Sequence, residues 1–482
     1  MTSLKGNIIL NYLNTLTGIL FPLITFPYAT RILHPEGIGT IDFLNSIINY
    51  ILLFSALGIP FYGVREIAKY RDNATFRQQK LIEIAGLNML LAFIAYIVVF
   101  LLANFVPRIT QNNITFYILS LAIFFSVIGV QWFYQGIEDF KLITIRGILV
   151  RIVCALGLFI FVKTPQDLIP YAFIVVATSV GNNVINFLYL KKYIRFSTIS
   201  WKTLNIYQHI KPSFKFFVMF IFISVYIYLN SVILGFLKGN EAVGFYTAGF
   251  RVPYIIRTMI ASLGAVMLPR ATNLLEKQEF EQFNSLTRKT YHFVFLFALP
   301  FSVALMIFSY IITITLCGEL FINSVAVVLI TTPTILIVGL SDVIGMHILL
   351  PKNKDNILLR SVFLSSIISL LLNFSFIPFF AEKGAATATL LTETAILVFE
   401  IIWGYKYIPF KLFSKNIQLY IISTLIMLPF ILICLLIPNY FISLSVALIS
   451  GGFVYFTFLY YKKEEITVEL LHFIGRIIKI KS

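Results

Sequence analysis

Apolar runs of about twenty residues, each able to cross ~30 Å of hydrocarbon as a helix, recur from one end of the chain to the other. The pattern predicts fourteen membrane helices. They run over approximately 8–30, 41–63, 81–105, 114–135, 143–163, 168–190, 213–236, 243–268, 290–316, 323–350, 357–380, 384–404, 417–437 and 440–461. The polar segments between them are short. The longest, about 191–212, joins the sixth helix to the seventh and divides the chain. This gives a first six-helix lobe (1–195), a linker (196–212), a second six-helix lobe (213–408), a final helix pair (409–461) and a tail (462–482). Trp201 and the basic residues of the linker suit a lipid headgroup layer. In the tail Val468, Leu471 and Ile478 are spaced for an amphipathic helix lying on a surface. The fold class is all-α, a polytopic membrane protein.

One turn organises the pattern. Between the first two runs, FPYATRILHPEGIGTIDF at 26–43 packs in Arg31, His34, Pro35, Glu36, Gly37 and Gly39. Pro35 cannot continue a helix, and the glycines permit a tight reversal. LKGNEAVG at 237–244 again sits between two apolar runs, so that Glu36, Ile38 and Gly39 fall on Glu241, Val243 and Gly244. Matching turns at a constant offset suggest an internal duplication, a common arrangement among transporters.

Composition excludes a soluble protein. Of 482 residues, 59% are hydrophobic and 12% charged, with a mean hydropathy of +0.91, against about 45–50% and 25% in soluble domains. The first run lacks a small-residue cleavage site and reads as a retained helix. Lysine and arginine set the orientation. One set of loops holds Arg65, Lys69, Arg71, Arg77 and Lys80, then Lys141 and Arg146, then Lys191, Lys192 and Arg195, then Lys352, Lys354 and Arg360, with both termini. The opposite loops hold only Arg31, Arg108, Lys163, Lys238 and Lys383. That asymmetry places both termini in the cytoplasm. The net charge of +16 is then mostly topology, and no basic folded domain exists to bind nucleic acid.

Polar residues inside the spans are the candidate chemistry. Asn7, Asn11, Asn14 and Gly18 share one face of the first helix, and Asp42, Asn45 and Asn49 one face of the second. Thr389, Glu393, Ile396 and Glu400 form a stripe on the twelfth. Arg151, Arg251, Arg257 and Asp342 also lie within spans. A charge at the bilayer centre costs about 2.5–3.5 kcal/mol, so these groups should face protein or water. Two readings stand for the asparagines and the Arg–Glu combinations: helix–helix hydrogen bonding and charge neutralisation, or the lining of a groove. For the arginines an aqueous cavity is the reading adopted. Glu400 and Asp42 lie near helix ends, from which a side chain can snorkel.

No catalytic set is visible, and no cofactor is called for. His34, His209 and His472 fall in loops or the tail, and His292 and His347 are isolated near helix ends, which suits interfacial positions. Cys154, Cys317 and Cys434 are scattered, so neither a disulfide nor a metal site is expected. No glycine-rich phosphate loop is present.

RILHPEGIG at 31–39, GIPFYGVREIA at 58–68, QWFYQGIEDFK at 131–141, VGFYTAGFRV at 243–252, LPRATN at 268–273 and ILLPKNK at 348–354 follow one another in a specific order. In this succession the chain resembles the Wzx-type O-antigen and capsule oligosaccharide flippases of the multidrug/oligosaccharidyl-lipid/polysaccharide exporter superfamily. His34 and Asn353 depart from the pattern, which has glycine there, and leave the local turn geometry in question. The resemblance implies a MATE-like pair of six-helix lobes, a central groove, and carriage of an undecaprenyl diphosphate-linked oligosaccharide across the bacterial inner membrane. Arginine suits a diphosphate because its planar fork makes bidentate contacts. On this reading Arg151, Arg251, Arg257, Asn11, Asn14, Asn45 and Asn49 are the substrate-binding candidates. Asp42, Asp342 and Glu393 are candidates to carry a proton or sodium ion, and Arg31, Glu36, Gly39, Glu241 and Gly244 form a gate or turn. Contact with the polysaccharide polymerase machinery is a further implied partnership. Two alternatives remain: a multidrug or other small-molecule exporter of the same fold, whose groove would favour buried carboxylates, and a membrane enzyme such as an oligosaccharide polymerase, which would want a large external loop.

Overall fold

Every regular element in the computed structural model, which describes residues 4–194 and 204–470, is helical. The first unit contains α1 (Leu4–Ala56), α2 (Ile59–Lys69), α3 (Ala74–Phe105), α4 (Pro107–Thr110), α5 (Asn113–Gly129), α6 (Gln131–Gly136), α7 (Phe140–Phe161), α8 (Leu168–Leu190) and α9 (Ile210–Lys238). Then follow α10 (Asn240–Glu276), α11 (Phe280–Ile307), α12 (Ser309–Cys317), α13 (Ser324–Thr331), α14 (Thr334–Asp342), a π-helical segment (Val343–Leu349), α15 (Asp355–Gly404), α16 (Lys415–Cys434) and α17 (Tyr440–Tyr461). The chain divides into compact units Met1–Thr247 and Ala248–Ser482, with α10 beginning in the first. The side chains of Asn7, Asn11 and Asn14 lie outside the described residues, as do Trp201, Leu471, His472 and Ile478.

Nine helices among the described residues are long and apolar enough to cross a membrane. Two of these, Phe21–Lys69 and Asp355–Tyr407, contain 49 and 53 residues. At about 1.5 Å per residue each far exceeds the ~30 Å hydrocarbon layer. Each is broken inside by a residue at positive φ: His34 (φ 59°, ψ 177°) and Ala381 (φ 47°, ψ −125°). The turn expected over 31–39 is thus confined to one non-helical residue ahead of Pro35. The segment expected at 41–63 is interrupted at Leu57 and Gly58, both at positive φ and followed by Pro60, and the one expected at 114–135 breaks at Val130 (φ 35°).

Side-chain caps start two helices. Asn73 accepts from the Phe76 amide at the head of α3, and Asn439 accepts from the Phe441 and Ile442 amides at the head of α17, satisfying orphan donors. Apolar side chains such as Phe93, Val153, Leu371 and Phe374 point outward, as a lipid-facing surface requires. The first unit packs α5 on α8, α1 on α7 and α9, and α2 on α6. One buried cluster there joins Ile59, Tyr62, Leu81, Trp132, Phe133 and Tyr134. In the second unit α11 packs on α14 and α16, and α16 on α17. Just after α17, Glu464 is buried and accepts from the Tyr420 hydroxyl at 2.7 Å, while Lys289 pairs with Glu465 and Glu469. The described start of the tail is therefore pinned to α11 and α16. All three cysteines are buried, and none forms a disulfide among the described residues.

Candidate functional site

The two matching turns meet each other. Gly239, ahead of α10, has φ 93° and ψ 176°, close to the conformation of His34, which lies the same 205 residues earlier. That offset also carries Pro35 onto Asn240 and Gly39 onto Gly244. A Cβ on Gly39 would lie 1.7 Å from the Asn240 carbonyl oxygen, and one on Gly244 would lie 1.9 Å from that of Pro35. One contact is the other with the segments exchanged, the signature of a local two-fold relation. Both glycines are needed because backbone approaches backbone. The side chains follow suit: Ile38 and Val243 are buried, and Glu36 and Glu241 are exposed, as is Arg31. Asn240 Nδ2 donates to Thr40 Oγ1 at 2.9 Å.

Deeper on the same face, Asp42 Oδ2 accepts from Thr247 Oγ1 at 2.8 Å, its partner at the same offset, and from Ser231 Oγ at 2.7 Å. Asp42, Asn45 and Asn49 are partly exposed while residues 43, 44 and 46–48 between them are buried, so the polar stripe is an open face of α1. Arg151 on α7 donates from Nη1 to Thr17 Oγ1 at 2.7 Å beside Gly18, which joins it to the predicted stripe of the first helix.

In the second unit, Arg257 on α10 pairs with Glu393 on α15 at 2.8 Å. Its guanidinium also lies 5.3 Å from the Tyr254 ring and 6.0 Å from that of Phe250. The neutralising partnership named among the alternatives is the arrangement found, and it leaves Arg257 16% exposed. Asp342, partly exposed at the end of α14, is a charged neighbour of both. Glu400 does not snorkel: it is 1% exposed and accepts from Ser341 Oγ at 2.7 Å, with Asp342 and Glu393 as its charged neighbours. Two carboxylates, Glu393 and Asp342, therefore face one arginine, and Glu400 is the charged neighbour of both. Arg251 is partly buried one and a half turns before Arg257. A separate apolar cavity of about 360 Å³ lies between α11, α16 and α17, among Phe297, Phe301, Met427 and Tyr455.

Two buried groups escaped the sequence reading. Arg146, counted with the loops, is 3% exposed on α7; Nη1 donates to the Asn182 carbonyl at 3.3 Å, and the guanidinium lies 5.9 Å from the Tyr134 ring. His209, expected to be interfacial, is 1% exposed. Its Nδ1 takes the Tyr62 hydroxyl at 2.6 Å, and its Nε2–H donates to Glu83 at 2.9 Å, which fits a neutral imidazole. Glu83, 0% exposed, also accepts from Lys80, Gln79, Gln208 and the Asn205 amide. Burial pushes the His209 pKa below its ordinary value, although the Glu83 hydrogen bond pulls it up. An i, i+3 pairing of Lys80 and Glu83 was legible, but nothing in the spacing links either to a residue 126 positions away. Elsewhere, backbone amides of Lys163 and Thr164 hold the exposed Asp167 carboxyl below its usual value. No group of metal-ligating side chains occurs among the described residues.

A profile of the family described as "Polysaccharide biosynthesis protein" matches residues 4–275. The chain is 27% identical over 399 residues to a protein of Escherichia coli (strain K12) named "Putative O-antigen transporter", covering 82% of this chain and 95% of that one. A protein of the same name from Shigella dysenteriae is 24% identical over 403 residues, covering 82% and 98%. Among solved structures, the lipid II flippase MurJ in an inward closed conformation superposes with a TM-score of 0.67 at 15% identity, over 92% of this chain and 99% of that one. An inward-facing multidrug resistance MATE family transporter superposes with a TM-score of 0.66 at 11% identity, over 83% and 98%.

Proposed function

The chain belongs to the polysaccharide biosynthesis protein family, and from that premise we propose that it flips an undecaprenyl diphosphate-linked oligosaccharide, an O-antigen, capsule or exopolysaccharide repeat unit. It moves this lipid from the cytoplasmic to the periplasmic leaflet of the bacterial inner membrane by alternating access. In this reading both termini are cytoplasmic, residues 1–195 and 213–408 form the two repeated lobes, and the 34–39 and 239–244 turns close the periplasmic side.

The observation that carries the reading is the Arg257–Glu393 pair, which joins α10 to the membrane-spanning α15. Neither the diphosphate nor the glycan crosses hydrocarbon unaided. An arriving diphosphate draws the Arg257 guanidinium away from Glu393, and a released carboxylate in low dielectric takes a proton or a cation. Substrate and ion then compete for one guanidinium, which couples the two events without a covalent step. Arg151 and Arg251 add positive charge, Asn45 and Asn49 offer hydrogen bonds to sugar hydroxyls, and Asp342 and Asp42 are further ion carriers. The carboxylates Asp342, Glu393 and Glu400 also favour a second reading, a groove for organic cations like that of a multidrug exporter.

The test is complementation of a flippase-null strain, with membrane protein levels measured beside surface polysaccharide. Arg257→Gln blocks export and Arg257→Lys retains part of it. Normal export by a well-expressed Arg151→Gln/Arg257→Gln double variant refutes the proposal, and raised drug tolerance in its place supports the second reading.

A further inference from the structure

The rim of the second unit where α15 begins and ends carries basic groups with no acid among them in ion-pair range. Lys352 Nζ donates to the Tyr407 carbonyl at 2.8 Å, while Lys354 and Lys406 lie 5.2 and 5.1 Å from the Tyr407 ring. Arg360 stands exposed one and a half turns into α15. None of these four forms an ion pair among the described residues. Asp355, in the first turn of α15, is the nearest acid along the chain.

Beside this rim lies a cavity of about 350 Å³ lined by Ile357, Arg360, Phe363, Leu364 and Trp403. Arg360 is its one charged wall. Phe363 and Leu364 are 40% and 37% exposed on a membrane-spanning helix, so the cavity opens sideways toward lipid. Trp403 is fixed by stacking on Phe399, with ring centroids 5.0 Å apart and planes 6° apart. Lys352 is held in place by a carbonyl and by the Phe283 ring at 5.2 Å, and burial lowers its pKa, so it braces the rim rather than reaching outward.

An apolar slot with a guanidinium at one end and two more cations beyond it is the negative image of an anionic phospholipid. We propose that this groove binds one anionic phospholipid from the leaflet that meets the lysine-rich loops, independent of the transported substrate. Its phosphate pairs with Arg360, Lys354 and Lys406 draw the remaining headgroup charge, and one acyl chain lies along Phe363, Leu364 and Trp403. Apart from the Trp403 indole N–H, the lining offers no neutral hydrogen-bonding side chain for a sugar, and its volume is at the small end of the ~300–1,000 Å³ typical of ligand pockets. These two features separate it from a site for a glycan-bearing lipid.

The test uses the purified full-length chain, delipidated in detergent, with dioleoylphosphatidylglycerol or dioleoylphosphatidylcholine added. Retained lipid is read by native mass spectrometry and by thermal shift. Wild-type protein should prefer phosphatidylglycerol about tenfold. Arg360→Gln should lose most of that preference and Arg360→Lys keep part of it. Leu364→Trp, which fills the groove and leaves the charges, should weaken retention of both lipids. Equal retention of the two lipids by wild type, or an unchanged preference in Arg360→Gln, overturns the proposal. If Arg360→Gln fails to fold, undiminished retention by Leu364→Trp overturns it instead. Displacement of phosphatidylglycerol by equimolar undecaprenyl phosphate also overturns it and assigns the groove to the isoprenoid carrier.

Discussion

Alanine at Gly39 is the sharpest perturbation available. Its Cβ would lie 1.7 Å from the Asn240 carbonyl oxygen, where an ordinary contact begins at 3.4 Å. The opposing atoms are backbone, so no rotamer change relieves the clash, and the turns must part by about 1.5 Å. Overpacking typically costs about 1–3 kcal/mol. Parting also weakens the Asn240–Thr40 bond, worth about 0.5–1.5 kcal/mol, and the charged Thr247–Asp42 bond, worth slightly more. The joined arrangement should lose about 3 kcal/mol, roughly a hundredfold in population against a parted one. Helix propensity acts in the opposite direction, since alanine favours a helix over glycine by about 0.5–1 kcal/mol. Gly244→Ala should behave alike, and the double variant should cost little more than either single one, because parting the turns relieves both clashes together. The assay is the labelling rate of a single cysteine at Asn45 by an impermeant thiol reagent in intact cells, in a background without the three native cysteines. Surface polysaccharide is measured beside it. Faster labelling with lowered export is expected. Unchanged labelling in well-expressed Gly39→Ala, or additive losses in the double variant, refutes the reasoning.

Two further outcomes follow from groups described above. His34→Gly should raise the thermal midpoint of the purified protein: about 1–3 kcal/mol of backbone strain at φ 59° is removed for ~0.4–1 kcal/mol of added unfolded-chain entropy, and a lowered midpoint would refute this. Because His209 titrates lower when folded than when unfolded, the unfolded chain takes up its proton first, and stability is lost as pH falls below about 6.5. Protection factors over 204–209, the exchange rates corrected for the intrinsic rate at each pH, should therefore fall as pH drops from 7.5 to 5.5, and His209→Gln, with Glu83, Lys80 and Glu66 left around it, should flatten that fall.

Periodicity made the all-helical membrane fold legible because every span must bury its backbone polar groups in a helix, whatever its neighbours. The turn repeat was legible for a local reason too, since a proline and two glycines leave few conformations. The two departures from the family pattern resolve in the same way: His34 and Asn353 both adopt positive φ, at 59° and 56°, where glycine would be unstrained. Partnerships between distant residues were not legible. Helical spacing put Glu393 and Glu400 on one stripe, yet only the folded chain shows that Arg257 of α10 meets the first and Ser341 of α14, which packs on α15, the second. Arg146 was lost because a basic residue at the head of a span reads as loop until a neighbouring helix covers it.

The π-helical segment at Val343–Leu349 has a consequence for how such a chain tolerates insertion and deletion. Its turns are wider than α-helical turns, as in the bond from the Leu350 amide to the Gly345 carbonyl at 3.0 Å, and they hold one residue more than the α ladder would. Losing a single residue there lets the ladder close as ordinary α-helix, with every amide still paired and the span still apolar. The cost appears in azimuth: one residue is about 100° of rotation. Ser341 and Asp342 would then swing away from Glu400 and Arg257 while the helix stayed intact. A gene carrying that three-base deletion would make a span that stays helical and apolar while the carboxylate cluster, and the face of α14 packed on α11, lose their register.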